Sequence, residues 1–115
     1  MNPLLFVYGT LRPGDSHWHL LAPLCDGPTR DAMLAGSLYD TGFGYPALTL
    51  GDGPGVLGSV VPLREDADLA EVDEYEGEHY ARVRVVLADG THAWTYVWIS
   101  PVDGMPVLTG PWRSA

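Results

Sequence analysis

Two short stretches of the chain hold the residue types from which a proton-transfer site could be built. The first, Val7-Tyr8-Gly9-Thr10-Leu11-Arg12-Pro13-Gly14, ends an apolar run in a tyrosine, a glycine and a hydroxyl residue before a turn that Pro13 and Gly14 force. Amides are freed where a chain leaves a sheet. Gly9 lacks a Cβ, so a ligand can approach its main chain, and successive N–H groups could hold a carboxylate or a developing oxyanion. The same residues would equally make a plain strand-to-turn transition. The second stretch, Asp73-Glu74-Tyr75-Glu76-Gly77, crowds carboxylates at the end of a helix, where the helix dipole already disfavours them. Crowding and burial both raise a carboxyl's proton affinity towards what a general base needs near neutral pH, and Glu76 stands where the chain leaves the helix. In a chain this acidic, the run would equally be a solvated helix end.

Other candidates are weaker. His17 and His19 would share a face of an extended segment and could both reach a metal, but no third ligand accompanies them, and His79 and His92 stand alone. Cys25 is followed by Asp26 with no histidine motif nearby, which argues against a thiol nucleophile. No GxSxG elbow, Walker loop or GxGxxG is present, so acyl-enzyme, nucleotide and dinucleotide chemistries lose support. Trp94, Tyr96 and Trp98 share one strand face, which either lines the core or walls a pocket.

The elements that would position these residues follow from local patterning. Residues 4–11 (LLFVYGTL) read as a buried strand running into a loop, and residues 17–24 as one or two helical turns interrupted by Pro23. Residues 31–40 and 45–50 predict strands around the glycine-rich Thr41-Gly42-Phe43-Gly44 link, and residues 56–63 predict another. A helix is expected over 66–76, capped by Asp66 and stopped by Gly77, with Leu69, Val72 and Tyr75 on one face. Residues 80–87 alternate outward Arg82 and Arg84 with inward Val83 and Val85. Asp89-Gly90 then suggests a type I′ turn, with positive φ at both positions, into a strand over 93–99. The tail from Ser100 reads as mostly loop.

One helix among about six strands cannot cover both faces of a parallel sheet, so an α+β arrangement is expected, a small mixed β-barrel with a flanking helix or helices. The 115 residues fit one domain able to bury a core without staples. Fifteen acidic residues against six arginines and no lysine give a formal net charge of −9, which leaves no basic stripe for nucleic acid. A single cysteine, the absence of a basic leader and the lack of a long apolar run predict a cytoplasmic chain that does not enter a membrane.

Taken in order, VYGTLRPG, VDEYEGEHYAR and GPWR resemble the γ-glutamylcyclotransferase-like superfamily, in particular its small bacterial AIG2-like branch, over essentially the whole length. The resemblance implies a substrate loop at Tyr8, Gly9, Thr10 and Leu11, further substrate-binding residues at Tyr80 and Arg82, an acid/base role for Glu76, and closing family positions at Gly110, Trp112 and Arg113. Val72 replaces the usual leucine before the acidic stretch. The implied reaction turns a small γ-glutamyl amide into 5-oxoproline and a free amine or amino acid, with neither cofactor nor metal. The substrate brings its own nucleophile, so a base, oxyanion donors and a returned proton suffice. The alternative is a relative that binds a small molecule or regulates without turnover; a scaffold meeting a basic partner rests on net charge alone. The leaving amine and the oligomeric state are not legible in the residues.

Overall fold

The computed structural model describes residues 2–110 and 112. β1 (Leu4–Val7) is the centre of the molecule because its side chains are apolar on both faces. Phe6, with Tyr8 just beyond the strand, enters one buried cluster with Leu34, Leu38, Leu48 and Val60. Leu5 and Val7 enter a second with Leu21, Val61, Leu63, Leu69 and Val72. After the 9–17 loop, two 3₁₀ turns (Trp18–Leu20 and Ala22–Leu24) occupy the segment that Pro23 keeps from becoming a longer helix.

The remaining strands are β2 (Arg30–Leu34), β3 (Gly36–Asp40), β4 (Pro46–Leu50), β5 (Val56–Pro62), β6 (Tyr80–Val86), β7 (His92–Trp98) and β8 (Val107–Leu108); helix α1 (Ala70–Glu76) lies between β5 and β6. They form a five-stranded sheet of order β2-β5-β1-β7-β6 and a three-stranded sheet of order β4-β3-β8. The class is α+β, as the patterning predicted, but the sheets do not close into the expected barrel. The run 31–40 is not one strand: it breaks at Ala35, β2 pairing with β5 and β3 with β4, and a side chain at position 36 would run into the carbonyl of Thr49. Just beyond the end of β6, the loop into β7 reaches the other edge strand, β2: Ala88 N–H donates to the Met33 carbonyl (2.8 Å) and Arg30 pairs with Asp89 (3.0 Å).

Three local expectations are corrected. The helix begins at Ala70 instead of residue 66, because residues 64–67 close a turn through Ala67 N–H to the Arg64 carbonyl and Asp68, not Asp66, accepts from Ala70 N–H (2.9 Å). The β6–β7 turn is not type I′. Gly90 has positive φ but Asp89 does not; Gly90 N–H donates to Leu87 O and Leu87 N–H to Thr91 O, which makes a longer loop with the glycine at its left-handed position. The tail contributes a short strand, β8, to the small sheet.

β1 and β7 run parallel and share a single register pair, Leu5 with Trp94. Thr95, fully buried beside that pair, donates its hydroxyl to the Phe6 carbonyl at 2.8 Å. Thr95→Val is expected to cost about 1 kcal/mol, the scale of one buried hydrogen bond, seen as a lower denaturant midpoint at an unchanged slope. No helix among the described residues is long and apolar enough to cross a membrane.

Candidate active site

The chain leaves β1 at Tyr8 and turns through Gly9, Thr10 and Leu11. The carbonyls of Gly9 and Thr10 accept from Arg12 N–H (3.1 Å) and His17 N–H (2.8 Å), so the loop is closed through its carbonyls. Among the described residues, the N–H groups of Gly9, Thr10 and Leu11 donate to none of the loop's own bonds. Gly9 does not have positive φ. Its need for glycine is steric: a Cβ there would stand 3.1 Å from Pro46 Cδ and 3.9 Å from Trp112 Cδ1.

Helix α1 faces this loop. Leu69 and Val72 are buried in the core under the sheet, whereas Tyr75 is 37% exposed and points to the loop instead of the core. The hydroxyls of Tyr75 and Thr10 share a hydrogen bond of 2.7 Å, and the His17 ring packs on Tyr75 with centroids 4.6 Å apart. Between helix and loop lies a cavity of about 170 Å³ lined by Tyr8, Gly9, Thr10, Leu11, Glu76 and Tyr80, together with Phe6, Val7, Tyr45, Pro46, Tyr75 and Tyr96.

Among the described residues, Glu76 is the one carboxylate in this lining. Burial among tyrosines and apolar groups, and secondly the neighbouring Asp73 carboxylate, push its carboxyl up to about 7. Among the described residues nothing donates a hydrogen bond to it, so its oxygens face the cavity without a competing partner. The surrounding tyrosines stay neutral: burial raises Tyr8, Tyr80 and Tyr96, and the Glu76 charge adds to each. Tyr8 donates its hydroxyl to the Tyr96 carbonyl (2.6 Å), and Tyr80 donates to the Pro46 carbonyl, which fastens the start of β4 to β6.

Arg82, expected to bind substrate, does not line the cavity, because the Asp73 carboxylate engages it on the far side of the helix end. Its guanidinium pairs with Asp73 (3.1 Å) and lies over the Trp94 ring, 5.5 Å from the centroid. Asp73 also accepts the Tyr96 hydroxyl at 2.6 Å, so Arg82 and Tyr96 together hold the last turn of the helix against β6 and β7. That arrangement makes Arg82 a positioning residue for the helix end that carries Glu76. The shared face of β7 is thereby divided: Tyr96 walls the cavity, Trp94 carries Arg82 and Arg84, and Trp98 joins an aromatic group with Tyr45 and Tyr80.

Tyr45 and Pro46 belong to no motif that the sequence displays. Their one signal is an aromatic set directly after the glycines of the 41–44 link. His17 and His19 have ring centroids 5.8 Å apart, and among the described residues no group of three or more metal-ligating side chains is assembled. Cys25 lies away from the cavity, its thiol donating to the Gly27 carbonyl. Trp112 packs against the first core cluster on the Gly9 side, Gly110 is exposed, and Arg113 lies outside the described residues.

Residues 5–114 match the family described as gamma-glutamyl cyclotransferase, AIG2-like. The chain is 38% identical over 113 residues to the gamma-glutamylcyclotransferase family protein YtfP of Escherichia coli, covering 94% of each chain. It is 39% identical over 106 residues to the gamma-L-glutamyl-butirosin B gamma-glutamyl cyclotransferase of Niallia circulans, covering 84% of this chain and 67% of that one. Among solved structures, YkqA from Bacillus subtilis superposes with a TM-score of 0.67 at 31% identity, over 86% of this chain but only 36% of that protein.

Proposed function

The chain belongs to the AIG2-like gamma-glutamyl cyclotransferase family and is a cyclotransferase-like enzyme; we propose that its reaction closes a small γ-glutamyl amide into 5-oxoproline and releases the amine, with Glu76 moving the proton. The observation that carries this reading is a lone carboxyl, pushed up to about 7, in the same cavity as the Gly9–Leu11 loop. A base near that value is ionised often enough at neutral pH to take a proton and acidic enough, once protonated, to return it.

The steps balance without water. The Glu76 carboxylate takes a proton from the substrate's α-ammonium. The freed amine attacks the γ-carbonyl carbon, forming the ring C–N bond and a tetrahedral oxyanion. Main-chain N–H groups of Gly9, Thr10 and Leu11 hold the substrate carboxylate or this oxyanion, and the neutral hydroxyls of Tyr8 and Tyr80 border it. As the intermediate collapses, the bond to the departing nitrogen breaks and Glu76 returns the proton to that nitrogen; the carboxylate then takes the second proton from the new ring nitrogen, leaving the lactam N–H, and passes it to the released amine, which departs as an ammonium. Both reacting groups belong to one molecule, so the enzyme's task is to hold them in contact. The single thiol of Cys25 supports placing this enzyme in a reducing cytoplasm.

The test is release of 5-oxoproline from a panel of γ-glutamyl amides, followed across pH. Formation of 5-oxoproline with kcat/KM rising through about pH 7, as the Glu76 carboxyl ionises, is the expected result. EDTA should leave the rate unchanged, since the cyclisation uses only a carboxylate and hydrogen-bond donors. A rate that fell with EDTA and returned with zinc, or one independent of pH between 5 and 9, would overturn the proposed chemistry.

A further inference from the structure

The end of α1 that carries Glu76 is tied to two different parts of the molecule. Towards the sheet, Asp73 engages Arg82 and Tyr96. Towards the loop after β1, the residue directly before Glu76 reaches across: Tyr75 and Thr10 both line the cavity, and their hydroxyls share a hydrogen bond of 2.7 Å.

The main chain of Thr10 is fastened at the same place. Its carbonyl accepts His17 N–H (2.8 Å), the His17 ring packs on Tyr75 with the planes 35° apart, and Ser16 Oγ lies 3.1 Å from His17 Nδ1. Thr10, His17 and Tyr75 thereby close a circuit in which the backbone of the loop and a side chain of the helix fix one another. Tyr75 is 37% exposed and belongs to neither core cluster, so this circuit contributes little of the burial that holds the fold. Burial against its neighbours still raises the Tyr75 phenol, so its hydroxyl stays neutral beside Glu76.

A cyclisation needs its base and its donors in a fixed register. Glu76 must reach the α-nitrogen and then the departing nitrogen of one bound molecule, while the N–H groups of Gly9, Thr10 and Leu11 hold the carboxylate or the oxyanion of that same molecule. Base and donors come from distant parts of the chain, Thr10 and Tyr75 standing 65 residues apart. Misplacement by about 1 Å in such an arrangement can cost about 10²-fold in rate.

Resting on the cyclisation proposed above, we infer that Tyr75 is a positioning residue for that reaction: its hydrogen bond to the Thr10 hydroxyl, backed by the His17 ring, sets the register between the Glu76 carboxyl and the main-chain donors of the Gly9–Leu11 loop. Tyr75 acts through Thr10 and moves no proton itself.

The experiment is a double-mutant cycle. Tyr75→Phe removes the hydroxyl and keeps the ring on His17, and Thr10→Val keeps the shape of the threonine without its hydroxyl. On the γ-glutamyl amide of the panel that turns over fastest, each single variant should lower kcat about fivefold, the scale of one hydrogen bond, with KM within about twofold of the wild type. The double variant should be no slower than the slower single variant, because both substitutions remove the same bond. The midpoint of the rise in kcat/KM near pH 7 should stay in place in Tyr75→Phe, since burial and Asp73 set it. Losses that multiply in the double variant, a Tyr75→Phe protein with wild-type kcat, an effect confined to KM, or a displaced midpoint would each overturn the assignment. If no γ-glutamyl amide releases 5-oxoproline, the cyclisation fails, and the link between loop and helix is still read by hydrogen exchange at the His17 amide. Equal acceleration in both single variants and in the double variant upholds the link; unchanged exchange overturns it.

Discussion

Glu76→Gln is expected to lower kcat by at least about 10²-fold, the usual scale for a positioned acid/base, while leaving affinity for 5-oxoproline near the wild-type value. Glutamine keeps the size of the side chain and cannot carry the proton from ammonium to departing amine. Because burial and Asp73 push the Glu76 carboxyl up to about 7, the rise of kcat/KM through that pH should disappear in the variant. Stability gives an independent readout. The folded chain keeps this carboxyl protonated up to about pH 7, whereas the unfolded chain ionises it in the ordinary carboxylate range. The unfolded state therefore binds fewer protons between those values, and the wild type loses stability as pH rises through that window. Glutamine removes the loss, so Tm of the variant should exceed that of the wild type at pH 8 by about 5 °C and match it at pH 5. Glu74, exposed and outside the cavity, should tolerate glutamine with little change in turnover. A Glu76→Gln protein with wild-type kcat would mean that another group moves the proton.

Gly9→Val should act on binding instead of proton transfer. The backbone at position 9 has ordinary φ, so valine is not excluded by conformation; its Cβ would stand 3.1 Å from Pro46 Cδ and 3.2 Å from Pro46 Cγ. Pro46 must therefore give way. Its carbonyl accepts the Tyr80 hydroxyl, so displacing it moves two walls of the cavity at once. Overpacking of this kind costs about 1–3 kcal/mol, and the expected outcome is an increase of about tenfold or more in Kd for 5-oxoproline or a non-cyclisable γ-glutamyl analogue. Gly9→Ala, adding only the Cβ, should give a smaller change of the same sign. Calorimetry separates the two positions: Gly9→Val loses affinity, Glu76→Gln keeps it. A Gly9→Val protein that bound the analogue as tightly as the wild type would place the ligand elsewhere.

Much of this molecule is written in short-range patterns. The apolar run at Leu4–Val7 is continuous because β1 is buried on both faces, and the alternation from Tyr80 to Val86 is regular because β6 has one face inward. Leu69 and Val72 mark the buried side of α1 by their spacing. The loop at Gly9 and the carboxylate at Glu76 could be singled out from residue type and order, since a turn after a strand and an acidic helix end are local features.

What lies beyond was decided by contacts between residues far apart in the chain. Nothing near Gly36 shows that Thr49 will lie where a side chain at that position would stand, nor that the 31–40 run will divide between two sheets that do not close into a barrel. The alternation in β7 is equally mute. Trp94, Tyr96 and Trp98 share a face by period, but only the landing of α1 and the 41–46 loop makes Tyr96 a cavity wall and Trp94 a platform for arginines. Arg82 likewise reads as a free outward arginine in its strand, and it is the Asp73 carboxylate arriving from the helix that engages it. Residue type and periodicity report what a segment can bury and where it can turn, because those depend on neighbours a few positions away. Which surfaces then meet depends on the packing of whole elements, and in this chain that packing brings Gly9, Tyr45, Tyr80 and Glu76 to one cavity.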